Sequence, residues 1–193
     1  QVTPVMVYTS LPEAELFING KSQGRLRKLT RDEAAASDDT MALLRRYRLM
    51  WMDAVYEPGE LKVVVYDADG NKAAERVVHT AGKPYALKLT PAVDSLAADG
   101  EDLAYVTVSV VDRQGNTCPD DSRLVRFKVT GRGRYRAAAN GDATSLDLFH
   151  EPQMHLFSGK CTAIVQSSDT PGIVTLTATA PGLKSATLTL PVN

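Results

Sequence analysis

The chain of 193 residues carries a formal net charge of −1, with 44% hydrophobic and 6% aromatic residues. A charge this balanced lacks the basic field that a nucleic-acid or anionic-membrane partner requires. No apolar run approaches the roughly 20 residues of a membrane span, and the length leaves room for one large domain or two small ones of roughly 80 to 110 residues each.

From Gln1 the chain enters strand-like Pro4-Val5-Met6-Val7-Tyr8 within a few residues and without a signal-like start, which reads as an excised segment of a longer protein. Ala14-Glu15-Leu16-Phe17-Ile18 alternates apolar and polar residues and stops at an Asn19-Gly20 turn. Thr30 to Arg46 departs from that period. Ser37-Asp38-Asp39 before Met41-Ala42-Leu43-Leu44-Arg45-Arg46 places acids first, an apolar stripe next and cations last, which suits about two turns of helix. A solvated loop is the alternative. Tyr47-Arg48-Leu49-Met50-Trp51-Met52 then resumes a strand. The run from Glu57 to Asn71 opens on a Pro58-Gly59 turn, continues through Leu61-Lys62-Val63-Val64-Val65-Tyr66, and closes on Asp67-Ala68-Asp69-Gly70-Asn71, the chemistry of a tight hairpin.

Val77-Val78-His79-Thr80-Ala81 reads as the last strand of a first domain, and Gly82-Lys83-Pro84 as the boundary, giving domains 1–83 and 84–193. Ala86-Leu87-Lys88-Leu89 opens the second. Tyr105 to Val110, Val125 to Val129, Val174 to Thr179 and Ala186 to Leu190 alternate polar with aliphatic residues, one face for a core and one for water. Asp99-Gly100, Gly115-Asn116, Asn140-Gly141, Pro171-Gly172 and Pro181-Gly182 punctuate them. About a dozen strands result, an all-β chain of two tandem immunoglobulin-like or fibronectin-like β-sandwiches. Val65 to Asn71 is echoed by Val110 to Asn116 at a spacing too short for a domain repeat, so the phrase is shared hairpin chemistry in two sandwiches.

Catalytic constellations are missing from this pattern. His150 and His155 flank Pro152 at a spacing that does not place them on one helical face, so they are not a zinc pair. Asp67, Asp69 and Asn71 alternate like calcium ligands, but Gly70 comes too early for a helix-flanked calcium loop. The neighbours Asp38-Asp39 and Asp120-Asp121 diverge in extended chain, and Gly131-Arg132-Gly133-Arg134 is not followed by a helix pattern. Neither Gly-x-Ser-x-Gly nor Cys-x-x-Cys occurs. No catalytic residue, metal or cofactor is expected. Cys118 and Cys161 permit one disulfide, with two independent half-buried thiols the favoured reading. Trp51, Tyr47, Met50 and Met52 are candidates for an apolar contact patch, with a core placement the favoured reading. Trp51, Tyr56 and Phe149 are candidates for stacking on a sugar.

The runs Glu15-Leu16-Phe17-Ile18-Asn19-Gly20-Lys21, Tyr47 to Trp51 and Tyr56 to Leu61 resemble the sandwich domain behind the catalytic barrel in β-galactosidases of glycoside hydrolase family 2. Ala98 to Leu103, Val106 to Asp112 and Asn140-Gly141-Asp142-Ala143-Thr144-Ser145 resemble the Ig-like carboxy-terminal domain of the same enzymes, as they occur in Bacteroides-type bacteria. The resemblance implies a non-catalytic accessory fragment of an exported hydrolase, periplasmic or at the cell surface. Its implied partner is the catalytic barrel of the parent chain, with another subunit or a glycan as alternatives, and neither nucleic acid nor a membrane is implied. Family enzymes use two glutamates of the barrel, the acid/base one following an asparagine. This chain has no Asn-Glu dipeptide, so neither carries over. It also has Ala137-Ala138-Ala139 where family members are often glycine-rich, and lacks an arginine within His155 to Gly159.

Overall fold

The computed structural model describes residues 1–193, which divide into two compact units, Gln1–Thr80 and Ala81–Asn193. In the first unit the strands are β1 (Val5–Val7), β2 (Glu13–Ile18), β3 (Lys21–Arg27), β4 (Leu49–Trp51), β5 (Glu60–Tyr66) and β6 (Lys72–His79). They form an antiparallel sheet in the order β3-β2-β5-β6 and a two-stranded ladder of β1 with β4. Alternation in β2 sends Ala14, Leu16 and Ile18 into a core with Val63, Leu49 and Trp51, while Glu13 and Glu15 stay outside. Asn19 and Gly20 both take positive φ, as a two-residue hairpin turn requires.

The segment from Thr30 to Arg46 holds two short helices where one was expected: α1 (Arg31–Ala35) and α2 (Ala42–Arg45). Helix α1 starts on a capping box, the Thr30 hydroxyl accepting the Glu33 N–H and the Glu33 carboxylate accepting the Thr30 N–H. The expected helix over 37–46 shrinks to Ala42–Arg45 because its polar leaders satisfy the backbone in turns. The Ser37 hydroxyl accepts the Asp39 N–H and the Asp39 carboxylate accepts the Met41 N–H.

The second unit comprises β7 (Ala86–Pro91), β8 (Leu103–Val111), β9 (Leu124–Gly131), β10 (Gly133–Ala139), β11 (Gln153–His155), β12 (Lys160–Ser167), β13 (Gly172–Thr179) and β14 (Ala186–Val192). Two antiparallel sheets, β10-β12-β8-β7 and β11-β9-β13-β14, enclose one core. Ala104, Val106, Val108 and Val110 line one wall; Val125, Phe127, Val174 and Leu176 line the other. Gly82, expected in the boundary, is bonded to Asp112 within this unit.

The two echoed phrases build the same turn. The Asp67 carboxylate accepts the N–H groups of Asp69 and Asn71 and the Asn71 amide; the Asp112 carboxylate accepts those of Gln114 and Asn116 and the Asn116 amide. Their outcomes differ. The first joins β5 to β6 as a hairpin. After the second, Thr117 bridges Val111 and Cys118 bonds back to Val110, and the chain then crosses to β9 in the opposite sheet. Strand β8 has β7 on one edge and β12 on the other as far as Ser109, so only its last two residues are free to pair with the returning chain.

Cys118 and Cys161 are unbonded. Both are fully buried in the second core, where half-buried thiols were expected.

Candidate functional site

The register of the β1–β4 ladder decides which side chains of the first unit face water. Val5 pairs with Trp51, Met6 with Met50 and Val7 with Leu49. Val5, Val7, Leu49 and Trp51 therefore turn inward, and Met6 and Met50 outward. Trp51 is 6% exposed and its indole N–H donates to the Gly24 carbonyl at 3.0 Å. Its ring offers no face to a sugar, which corrects Trp51 as a stacking candidate and agrees with the core placement favoured over the contact patch. Tyr56 is exposed and its hydroxyl lies 3.0 Å from that of Thr80. Phe149, in the second unit, is exposed too.

The outward face of the ladder is apolar with one cation in it. Met6, Met52 and Tyr8 are exposed, Tyr8 to 67%, and Met50 is half-buried between them and the sheet. The Arg48 guanidinium sits 5.1 Å from the centre of the Tyr8 ring, and its Nη1 lies 3.7 Å from the Met6 sulfur. Its Nε is buried and has no acceptor, the one buried side-chain nitrogen or oxygen so placed. The adjacent Arg46 lies 5.2 Å from the centre of the exposed Tyr47 ring. Neither arginine has a carboxylate partner, whereas Arg25, Arg27, Arg45 and Arg123 all do. Of the patch residues named from the sequence, Tyr47, Met50 and Met52 lie at the surface or its edge. Tyr8, Met6 and Arg48 were missed; the apolar-outward alternation of residues 4–8 was their signal.

A second apolar surface lies on the loop between β10 and β11 and on the residues just after β11. Leu146 is 94% exposed, and Leu148, Phe149 and Phe157 are exposed with it. Polar groups hold this loop in place. The Asp147 carboxylate accepts the His155 backbone N–H at 2.8 Å and faces the His155 ring nitrogen at 3.0 Å. These bonds, the backbone one foremost, hold its carboxyl below the usual carboxylate range. The Asn140 amide donates to the His155 carbonyl, the Asp142 carboxylate accepts the Thr144 N–H and hydroxyl, and the Phe149 carbonyl accepts the Ala138 N–H. Large apolar side chains held in solvent by satisfied hydrogen bonds make this a candidate contact surface. The run Leu146-Asp147-Leu148-Phe149, apolar yet outside any strand pattern, was its sequence signal.

No group of three His, Cys, Asp or Glu side chains is gathered in a way that could hold a metal ion. The depression lined by Asp120, Asp121, Ser122, Arg123 and Pro181 is occupied electrostatically by the Arg123–Asp121 ion pair at 2.7 Å.

Residues 87–189 match the family described as glycoside hydrolase family 2 C-terminal domain 5, and residues 1–74 match a domain of unknown function, DUF4982. Among curated proteins the chain is 40% identical over 181 residues to the β-galactosidase BoGH2A of Bacteroides ovatus, covering 94% of this chain and 19% of that protein. It is 32% identical over 150 residues to a β-glucuronidase of Formosa agariphila, 75% of this chain and 15% of that protein. Among solved structures, a β-glycosidase from Bacteroides vulgatus superposes with a TM-score of 0.86 at 26% identity, over all of this chain and 23% of that one. A glycosyl hydrolase family 2 member from Bacteroides cellulosilyticus gives 0.82 at 27%, over 97% of this chain and 24% of that one. The chain thus spans between 15% and 24% of the length of these relatives.

Proposed function

The chain belongs to glycoside hydrolase family 2, as C-terminal accessory domains, and from that premise we propose that it braces the catalytic barrel of a β-galactosidase-like hydrolase. The observation that carries the reading is the surface beside β11, where the β10–β11 loop holds Leu146, Leu148 and Phe149 in water and exposed Phe157 follows the strand. Burying two such side chains stabilises a contact by roughly 1.5–3 kcal/mol each. The loop's own fold does not depend on them, because the Asp147–His155 and Asn140–His155 bonds hold it.

The test separates contact from folding. Leu146→Ser with Phe149→Ser should leave the melting temperature of the isolated chain unchanged. The same pair in the full parent polypeptide should lower the melting temperature and speed heat inactivation of β-galactoside hydrolysis. Equal stability of parent and variant parent removes the bracing role. The isolated chain should not hydrolyse a chromogenic β-galactoside; turnover by it overturns the accessory reading.

Glycan binding is the weaker reading, because Trp51 is in the core. The family resemblance supports export to the periplasm or cell surface, which fractionation of the producing cell tests.

A further inference from the structure

The orphaned guanidinium of Arg48 marks a second contact. An arginine remains charged at any working pH and carries five N–H donors. Here its Nε is buried with no acceptor and Nη1 meets only a thioether sulfur, a weak acceptor. Withholding an acceptor from a buried charged donor is costly, and native proteins rarely leave such a group without one. Around it lies an apolar rim of Met6, Tyr8, Met50 and Met52, and no carboxylate of this chain pairs with Arg48 or with neighbouring Arg46.

We propose that the outward face of the β1–β4 ladder docks on the remainder of the parent polypeptide, through an apolar surface bearing a carboxylate that pairs with Arg48. This rests on the accessory reading and adds to it a face, a partner and a chemical contact. Three observations select that occupant. A carboxylate fits because it can accept end-on from the two terminal nitrogens, Nη1 and Nη2, in the fork geometry of a guanidinium, where Nη1 now meets only the Met6 sulfur. A second copy fits poorly, since a two-fold contact through this face would set Arg48 and Arg46 against their own copies. A sugar fits poorly as well, because guanidinium groups already lie over the Tyr8 and Tyr47 rings. The relatives, four to five times longer than this chain, supply the rest of the polypeptide.

Methionine oxidation reads this face directly. With dilute peroxide and mass spectrometry, Met6 and Met52 of the isolated chain should oxidise readily while buried Met154 does not, which confirms the fold in the same sample. In the intact parent, Met6 and Met52 should oxidise at least about tenfold more slowly. Arg48→Glu in the parent should restore their oxidation, since two carboxylates would then face each other, and Arg48→Gln should restore it in part. Equal oxidation in chain and parent overturns the docking face, and full protection in Arg48→Glu overturns the carboxylate contact. Protection of the isolated chain that rises with its concentration would make the occupant a second copy. Protection on adding glucuronate or galacturonate would make it an acidic sugar. Either result overturns the proposal. If Leu146→Ser with Phe149→Ser destabilises the parent while Met6 and Met52 stay reactive, this inference fails and bracing stands.

Discussion

The carboxylate of Asp112 accepts the backbone N–H of Gly82 at 2.7 Å, tying the first residues of the second unit to the loop after β8. Asp67 builds the same turn in the first unit without that donor. Asp112 is accordingly buried, whereas the Asp67 turn is open to water.

The Gly82 bond, with those from Asn116 and Gln114, holds the Asp112 carboxyl down at about 2. A carboxyl whose folded value lies below its unfolded value, about 3.9, stabilises the fold above the latter and loses that contribution as pH falls toward about 2. Asp112→Ala should therefore lower the melting temperature at pH 7 more than Asp67→Ala does. It should also flatten the fall in stability between about pH 4 and 2, read by thermal melts across that range.

Burial pushes the Cys161 thiol up to about 12 and raises that of Cys118. The thiolate is the reactive form, so neither cysteine should react with Ellman's reagent at pH 8 in the native chain. Two thiols per chain should appear in denaturant without any reductant. One rapid native equivalent, or none after denaturation, contradicts the buried free thiols.

Leu16 is fully buried against the same core as Trp51, the single tryptophan. Leu16→Ala should cost roughly 2–5 kcal/mol. Trp51 emission during urea unfolding reads the loss in the first unit, and a midpoint unchanged from that of the parent chain would count against this packing.

Gly159 and Gly115 both take positive φ, yet their surroundings differ. A Cβ on Gly159 would run into the Cys118 backbone carbonyl, and one on Gly115 would meet open space. Gly115→Ala should cost only about 1–2 kcal/mol of left-handed strain. Gly159→Ala should cost clearly more, because the wall it meets is backbone; denaturant midpoints of the two variants compare them.

Most strands were legible before any coordinates, because threonine and valine alternating over five or six residues can bury only one side of a pleat. The Thr30–Glu33 capping box was legible in principle but passed over, while the apolar stripe that follows marked α2, shorter than expected. Phe149 was recognisable as an aromatic outside strand pattern. Its companions Leu146, Leu148 and Phe157 become a surface only through the Asp147–His155 contact.

The sequence by itself determined the all-β class, the core-facing residues of the long strands and the Asp-x-x-Gly-Asn turns. Each of these is written in short-range spacing. Tertiary structure decided which way Trp51 points, where the chain goes after Asn116 and why Arg48 lacks an acceptor. Those depend on which strand lies alongside: β1 pairing with β4 sends Trp51 inward and Met50 outward, and a β8 paired on both edges as far as Ser109 turns a hairpin phrase into a crossover.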